Sequence, residues 1–188
     1  MKVLDGFTLS RFKDSLLEAK KSTYASGKKP VKLPMGAKEF VFEDEYFLYT
    51  DTYHEEGESF SGLELVYFKE LHNKEALISS SGINHIPMWH MKYDGRILVP
   101  VDQEREKQIY SLLKKSLLKA PREFPARGPI GKPIIEGDLQ YENFSDECDI
   151  RNFSGEEMIT LLNENGKRSE VLYELDYKGQ FFNPSFQS

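Results

Sequence analysis

The segment Phe60-Ser61-Gly62-Leu63-Glu64 occurs twice in this chain, the second time as Phe153-Ser154-Gly155-Glu156-Glu157. The offset between the copies is 153 − 60 = 93 residues. Further along, Trp89-His90-Met91-Lys92-Tyr93-Asp94-Gly95 corresponds to Tyr173-Glu174-Leu175-Asp176-Tyr177-Lys178-Gly179, at an offset of 173 − 89 = 84 residues. Self-similarity of this kind is typical of a repeated structural unit, and the nine-residue difference between the offsets is absorbed by the longer stretch from Glu70 to His85. The sequence therefore predicts an internal duplication, and a chance resemblance between two amphipathic strand sets is the alternative.

Apolar side chains occupy matching positions in the two copies. Alternate residues of a strand face the same side of a sheet. The first copy places Trp89, Met91 and Tyr93 on one strand face, and the second copy places three apolar residues on the equivalent face, namely Tyr173, Leu175 and Tyr177. We therefore expect both copies to bury the same side of their sheets.

Each set of strands is preceded by a predicted helix. Apolar residues spaced three and four apart predict a helix from about Leu9 to Tyr24, with Thr8 or Ser10 as its N-cap. A second helix is expected to begin after Asp102, a further cap candidate, and to end before Pro121. The two halves thus have the same order of elements, a helix followed by strands.

Short aromatic and β-branched runs predict an antiparallel meander in the first half. The predicted strands are Glu39–Glu43, Tyr46–Tyr53, Phe60–Lys69, Pro87–Tyr93 and Arg96–Val99. Asp94-Gly95 is the strongest two-residue turn signal, and the polar stretch from Glu70 to His85 is expected to be a mobile loop. The basic, proline-containing stretch 28–34 is expected to be a connector, and residues 183–188 a loose end.

The predicted fold class is α+β, with two related halves that each combine a helix and an antiparallel meander. We expect one domain over residues 1–188, with pseudo-repeat 1 over about 8–100 and pseudo-repeat 2 over about 102–184. A chain of 188 residues with 39% hydrophobic residues is long enough for one sizeable core.

Charge, hydropathy and cysteine content exclude several classes of protein. The net charge of −6 argues against a general nucleic-acid footprint, and no apolar run approaches the roughly 20 residues that span a bilayer. The N-terminus lacks the apolar stretch of a signal peptide, so we expect a soluble, cytoplasmic protein. A single cysteine, Cys148, excludes an internal disulfide framework.

Four motifs resemble a bacterial and archaeal family of domains of unknown function, sometimes fused to helix-turn-helix regulators. They are Ala19-Lys20-Lys21-Ser22-Thr23-Tyr24-Ala25-Ser26-Gly27, Tyr49-x-Asp51-x-Tyr53, Phe60-Ser61-Gly62-x-Glu64-x-Val66 and Pro87-x-Trp89-x-Met91-x-Tyr93-x-Gly95. The resemblance covers the first hundred residues well and the rest less firmly. It supports the fold and implies no established activity.

Two glutamates, Glu64 and Glu157, lie on the apolar faces of their predicted strands. If the hairpin turns near Glu56-Gly57, Asp51 lies opposite Gly62 or Leu63 and diagonal to Glu64. Two carboxylates held close together acquire separated pKa values, which suits acid/base chemistry. The alternative is structural, since both glutamates can accept hydrogen bonds from tyrosine hydroxyls or backbone amides.

The candidate ligand-binding residues combine aromatic rings and carboxylates in the first half. They are Tyr49, Asp51, Tyr53, Glu64 and Trp89, and the candidate catalytic residues are Asp51, Glu64 and His90. His85 and His90 lie five positions apart, on opposite strand faces, and no third metal ligand stands at a suitable spacing. We therefore predict neither a metal nor a cofactor.

The preferred functional interpretation is a module that binds a small ligand or a protein through the aromatic and acidic surface of the first half. One alternative is a small acid/base enzyme that acts on a polar metabolite. Another is a self-associating structural domain. The ligand or partner protein is not identified by the sequence, and neither nucleic acid nor membrane is predicted as a partner. The expected state is a monomer or a homodimer.

Overall fold

The computed structural model describes residues 7–71 and 83–183. Besides short 3-10 helices at Tyr24–Ser26 and Pro34–Gly36, the described elements are two α-helices and nine β-strands. In chain order they are α1 (Leu9–Ser22), β1 (Val31–Lys32), β2 (Lys38–Glu43), β3 (Phe47–Glu56), β4 (Ser59–Leu71), β5 (Ile83–Ile97), α2 (Gln103–Leu117), β6 (Ile134–Glu136), β7 (Leu139–Ser145), β8 (Asn152–Leu162) and β9 (Arg168–Phe181). The predicted α+β class fits this mixture of helices and antiparallel strands.

The strands form one antiparallel sheet in the order β1-β2-β3-β4-β5-β9-β8-β7-β6. Strands β1–β5 make one meander and strands β6–β9 make another. The meanders join through the pairing of β5 with β9, where Tyr93 lies opposite Tyr177. The two halves of the chain therefore share a continuous sheet, a point that the sequence left open.

Strand registers fall at the same offsets as the sequence similarity. Gly62 of β4 pairs with Tyr93 of β5, and Gly155 of β8 pairs with Tyr177 of β9. Gly155 follows Gly62 by 93 residues, and Tyr177 follows Tyr93 by 84 residues. The same glycine–tyrosine pairing thus occurs in both meanders.

Both helices lie on one face of the sheet, and the core fills the space between them and the strands. Thr8 caps α1 by accepting a hydrogen bond from the Arg11 amide, and Asp102 caps α2 by accepting one from the Arg105 amide, so both caps are confirmed. The buried helix residues repeat at helical spacing and are Phe12, Leu16, Ala19, Ile109, Leu112 and Leu113. On the opposite sheet face Lys92 is exposed, whereas Gln140 and Glu142 are buried.

The turn predicted at Asp94-Gly95 is wrong, because both residues lie inside β5. The glycine has a different cause: it pairs with Phe60, whose ring covers it. A Cβ atom at Gly95 would lie 2.4 Å from Cζ of Phe60, closer than any side chain tolerates. Glycine here makes room for a ring across the strand pair, so the predicted strand 87–93 and residues 96–97 of the predicted strand 96–99 belong to one strand, which ends at Ile97.

Other expectations about loops have mixed outcomes. The connector 28–34 contains the two-residue edge strand β1, which pairs with β2. Residues 72–82 of the predicted mobile loop lie outside the described residues, as do 184–188 of the predicted loose end, while the flanks of the loop belong to β4 and β5. In the described part of the chain, neither helix has the length and apolar character needed to cross a bilayer.

Candidate functional site

A cavity of about 240 Å³ lies between the helices and the sheet on the side of the first meander. Its polar wall combines residues from α1, β3, β4, β5 and the segment before β6. These residues are Lys20, Tyr49, Asp51, Glu64, Tyr93 and Arg127. Four lining residues are exposed to solvent and mark its opening, namely Glu55, Gly57, Ser59 and Glu106.

A buried ion pair forms part of this wall. The Lys20 ammonium donates to both carboxylate oxygens of Glu64, at 2.6 Å and 2.7 Å. Burial lowers the pKa of Lys20, and the attraction of Glu64 opposes that change. Because charged groups are stable in a protein interior only when paired, each member of this pair depends on the other.

Asp51 lies directly opposite Glu64 on the neighbouring strand. The sequence predicted that Asp51 lies opposite Gly62 or Leu63, which is wrong. Strand β3 continues to Glu56, which pairs with Ser59, and this register places Asp51 opposite Glu64. Oδ1 of Asp51 accepts a hydrogen bond of 2.7 Å from the Tyr93 hydroxyl. Burial, followed by repulsion from Glu64, raises the pKa of Asp51 to about 7.

A related set of contacts occurs in the second meander. The Arg127 guanidinium and the Tyr141 hydroxyl both donate to the Glu157 carboxylate, which is fully buried. The Tyr177 hydroxyl donates to Oδ1 of Asn143 at 2.8 Å. The second meander therefore has a paired glutamate and a tyrosine hydrogen bond, as the first has, but an amide replaces the aspartate.

Two buried donors at the cavity lack a partner within the described residues. They are Nε of Arg127 and the hydroxyl of Tyr173. Tyr173 is fully buried, Arg127 is 5% exposed, and both line the cavity. An unpaired buried donor costs about 1–3 kcal/mol, so a bound group with an acceptor atom would stabilise this arrangement.

Tyrosine rings supply most of the aromatic surface of the cavity. The lining tyrosines are Tyr24, Tyr49, Tyr53, Tyr93, Tyr110 and Tyr173. Burial is the largest cause of a raised pKa at Tyr49 and Tyr93, and the carboxylates of Asp51 and Glu64 raise it further. Both phenols therefore stay protonated at neutral pH and can donate hydrogen bonds.

The structure brings together four of the five predicted ligand-binding residues. Tyr49, Asp51, Tyr53 and Glu64 line the cavity, but Trp89 does not. The Trp89 side chain is fully buried in the core, and its indole N–H donates to the carbonyl of Ile150 at 3.0 Å. Its role is to pack and anchor the core at this position.

His90, a candidate catalytic residue, lies on the other face of the sheet. It follows the buried Trp89 in β5, and its ring centroid lies 4.7 Å from that of Phe182. Burial, followed by the charge of Lys92, lowers the pKa of His90. Because the sheet separates it from Asp51 and Glu64, His90 is not a proton-transfer partner for either carboxylate.

Sequence reasoning missed the two cationic residues of the cavity. Lys20 follows Phe12 and Leu16 at intervals of four, so a charge on the apolar stripe of α1 was an available signal. Arg127 lies in the irregular segment before β6, where no periodicity indicates which side chains are buried. Its pairing with Glu157 depends on the position of β8, which the local sequence around Arg127 does not indicate.

Within the described part of the chain, no group of three or more histidine, cysteine, aspartate or glutamate residues lies close enough to hold a metal ion. Cys148 is free and exposed.

Comparison with known families gives one match. The model of a family described as "Domain of unknown function (DUF5680)" matches residues 74–182. The chain belongs to the DUF5680 family. The matched segment begins at residue 74, so only the motif from Pro87 to Gly95 among the four quoted motifs lies within it. No curated protein and no solved structure matches the chain.

Proposed function

We propose that this DUF5680 protein is a small-ligand-binding module and that the cavity beside Asp51 and Glu64 is its binding site. The observation that carries the proposal is the pair of unpartnered buried donors, Arg127 Nε and Tyr173 OH, on the wall of the cavity. Native proteins rarely leave such groups unsatisfied, so they indicate a place that a ligand occupies.

The size of the cavity favours a small molecule over a polypeptide. Its volume of about 240 Å³ is near the lower end of ligand pockets, which hold about 300–1,000 Å³. A protein partner would need an exposed surface of several hundred Å². Tyr49, Asp51 and Glu64, in contrast, are buried. A protein partner is therefore the less favoured interpretation of these residues.

We also propose that the two halves derive from an internal duplication and that the first half has become the binding half. Lys20 with Glu64 and Arg127 with Glu157 are matching ion pairs. In the second half, residues 124–128 are buried, and the Asn143 amide donates to the carbonyl of Gly128 at 2.7 Å. The segment before β6 thus covers the second meander, while the first retains open space.

A nuclear magnetic resonance screen tests the proposed function. The ¹⁵N-labelled protein is titrated with a library of small amines, carboxylates and neutral polyols, and amide shifts are mapped onto the structure. At least one compound is expected to shift residues that line the cavity. The Ser59→Trp variant, which places a large ring at the exposed opening, is expected to weaken that binding.

Trp89→Phe is the matched control, because Trp89 is buried away from the cavity and the variant should bind as the native protein does. Binding that maps to another surface, or that survives Ser59→Trp unchanged, contradicts the proposed site. A library in which no compound shifts the cavity residues contradicts the proposed function.

A second candidate function, acid/base catalysis on a polar metabolite, is favoured by one observation. The pKa of Asp51 is about 7, the range in which a carboxyl exchanges protons efficiently at neutral pH, and Asp51 lines a cavity. Mass spectrometry of a compound recovered after incubation distinguishes the two functions. An unchanged compound supports a binding module, and a modified one supports an enzyme.

Self-association through sheet edges receives less support. The edge strands β1 and β6 contain only two and three residues, and short edges are a common protection against pairing with another chain. A monomer is the expected state, and light scattering measures it directly. The cytoplasmic location expected from the sequence stays a prediction.

A further inference from the structure

We infer that the ligand is a small primary amine that also carries a hydroxyl or carbonyl oxygen. Its ammonium group would lie at Asp51, and its oxygen would accept hydrogen bonds from Arg127 Nε and Tyr173 OH. This inference rests on the proposed function and adds the chemical class of the ligand.

The first argument is the balance of buried charge around the cavity. The buried charged side chains on the helix-covered face of the sheet are Lys20, Asp51, Glu64, Arg127 and Glu157; Glu142, which is also buried, lies on the opposite face and pairs with Arg168. Lys20 pairs with Glu64, and Arg127 pairs with Glu157. Asp51 is the carboxylate of this set that has no cationic hydrogen-bond partner, since it accepts its hydrogen bond from a neutral phenol, the Tyr93 hydroxyl.

Comparison of the two halves also identifies Asp51 as the carboxylate whose charge is not balanced. At the place of Asp51, the second half has Asn143, which accepts a hydrogen bond from Tyr177 as Asp51 does from Tyr93. The second half, with Arg127 and Glu157, is therefore neutral. When Asp51 is ionised, the first half carries one extra negative charge, and a ligand with one positive charge would balance it.

The opening of the cavity also favours a cation. Glu55 and Glu106 line its exposed rim, and Lys38 pairs with Glu55. The side chains that line the cavity include four carboxylates and two cations, so their summed charge is negative. Tyrosine rings form much of the wall, and their electron-rich faces attract ammonium groups.

The second argument concerns the oxygen. Arg127 Nε and Tyr173 OH are donors that line the cavity and have no acceptor within the described residues. A simple alkylamine would leave both unsatisfied, whereas a hydroxyl or carbonyl oxygen can accept from them. The two donors therefore indicate an amine that carries a polar oxygen.

Three probes on one carbon skeleton test the inference. They are trans-4-aminocyclohexanol, cyclohexane-1,4-diol and 4-hydroxycyclohexanecarboxylate, which carry a positive, a neutral and a negative group in the same position. Titration of the ¹⁵N-labelled protein at pH 8 should show the amine binding at the cavity at least about tenfold more tightly than the other two. Equal or tighter binding of the diol or the carboxylate overturns the inference.

The Asp51→Asn variant tests the same inference from the side of the protein. It removes the negative charge and gives the first half the amide that the second half has at Asn143. Its affinity for the amine should fall by at least about tenfold, while weak binding of the diol should change little. Unchanged amine affinity in Asp51→Asn contradicts the assignment of the ammonium to Asp51. Wild-type circular dichroism and dispersed amide signals identify a folded variant.

The pH dependence of binding adds a readout that a purely structural role would not change. The groups that act on Asp51 are Glu64 from β4, Tyr93 from β5, Lys20 from α1 and Arg127 from the segment before β6. With its pKa of about 7, Asp51 must lose its proton before it pairs with an ammonium group. Amine affinity should therefore rise about tenfold from pH 6 to pH 8, and a flat profile contradicts the inference.

Failure of this inference can be distinguished from failure of the proposed function. If the carboxylate or the diol binds at the cavity and the amine does not, the protein is a binding module with another ligand class. If none of the three probes, nor any compound of the wider library, shifts the cavity residues, both proposals fail.

Discussion

Replacement of Asp51 by asparagine should stabilise the protein above neutral pH. The pKa of Asp51 is about 7 in the folded chain, against an ordinary value of 3.8 that applies to the unfolded chain. Between these values the folded protein holds a proton that the unfolded chain releases. The free energy of unfolding therefore decreases as the pH rises from about 4 to about 7.

The size of the effect follows from the two pKa values. Each pH unit between them corresponds to about 1.4 kcal/mol, so the ionised aspartate costs about 4 kcal/mol above pH 7. Asparagine has nearly the same shape and can still accept the Tyr93 hydrogen bond, as Asn143 accepts that of Tyr177. Asp51→Asn should match the native protein near pH 4 and exceed its stability by up to about 4 kcal/mol at pH 8.

Urea unfolding at intervals from pH 4 to pH 8 measures this difference. Trp89, the single tryptophan, is fully buried and its fluorescence reports unfolding. Glu18→Gln is the control for the loss of one carboxylate, because Glu18 is exposed on α1 and does not line the cavity. Stability curves of Asp51→Asn and the native protein that stay parallel over this range would refute the reasoning.

Two further changes test the buried contacts around the cavity. Lys20→Met leaves Glu64 buried without its cation and should lower the free energy of unfolding by about 3–5 kcal/mol at neutral pH. Lys21 is exposed, so Lys21→Met should change this free energy by less than about 0.5 kcal/mol. Equal urea midpoints for the two variants would contradict the importance of the ion pair. Gly95→Ala places a Cβ against the Phe60 ring and should lower the free energy of unfolding by about 1–3 kcal/mol. The decrease should be smaller in a Phe60→Leu background. An equal decrease in both backgrounds, measured by thermal unfolding, would show that the ring is not the cause.

Local sequence patterns predicted both helices and the strands β2–β5 of the first half. The helix caps Thr8 and Asp102, and the alternation of Trp89, Met91 and Tyr93, depend on residues that are close in the chain. Helical spacing and strand alternation extend over a few residues, so they can be recognised without knowledge of the rest of the fold. The same alternation correctly placed Glu64 and Glu157 on buried faces.

The candidate site was predicted only in part, and the inclusion of Trp89 has a simple cause. Tyr49, Asp51, Tyr53 and Glu64 were named from their side-chain type and strand position, and all four line the cavity. Parity alone does not separate a residue that lines a cavity from one that fills the core. Trp89 was therefore included, although it packs in the core.

Contacts between distant segments were decided by the tertiary structure alone. Gly95 has the local appearance of a turn, yet it belongs to a strand because Phe60 lies across from it. Asp51 faces Glu64 because of the hairpin register, and Arg127 enters the cavity wall because Glu157 is there to pair with it. Which strands become neighbours, and in what register, depends on the free energy of the whole fold, and these long-range contacts create the uncompensated charge at Asp51.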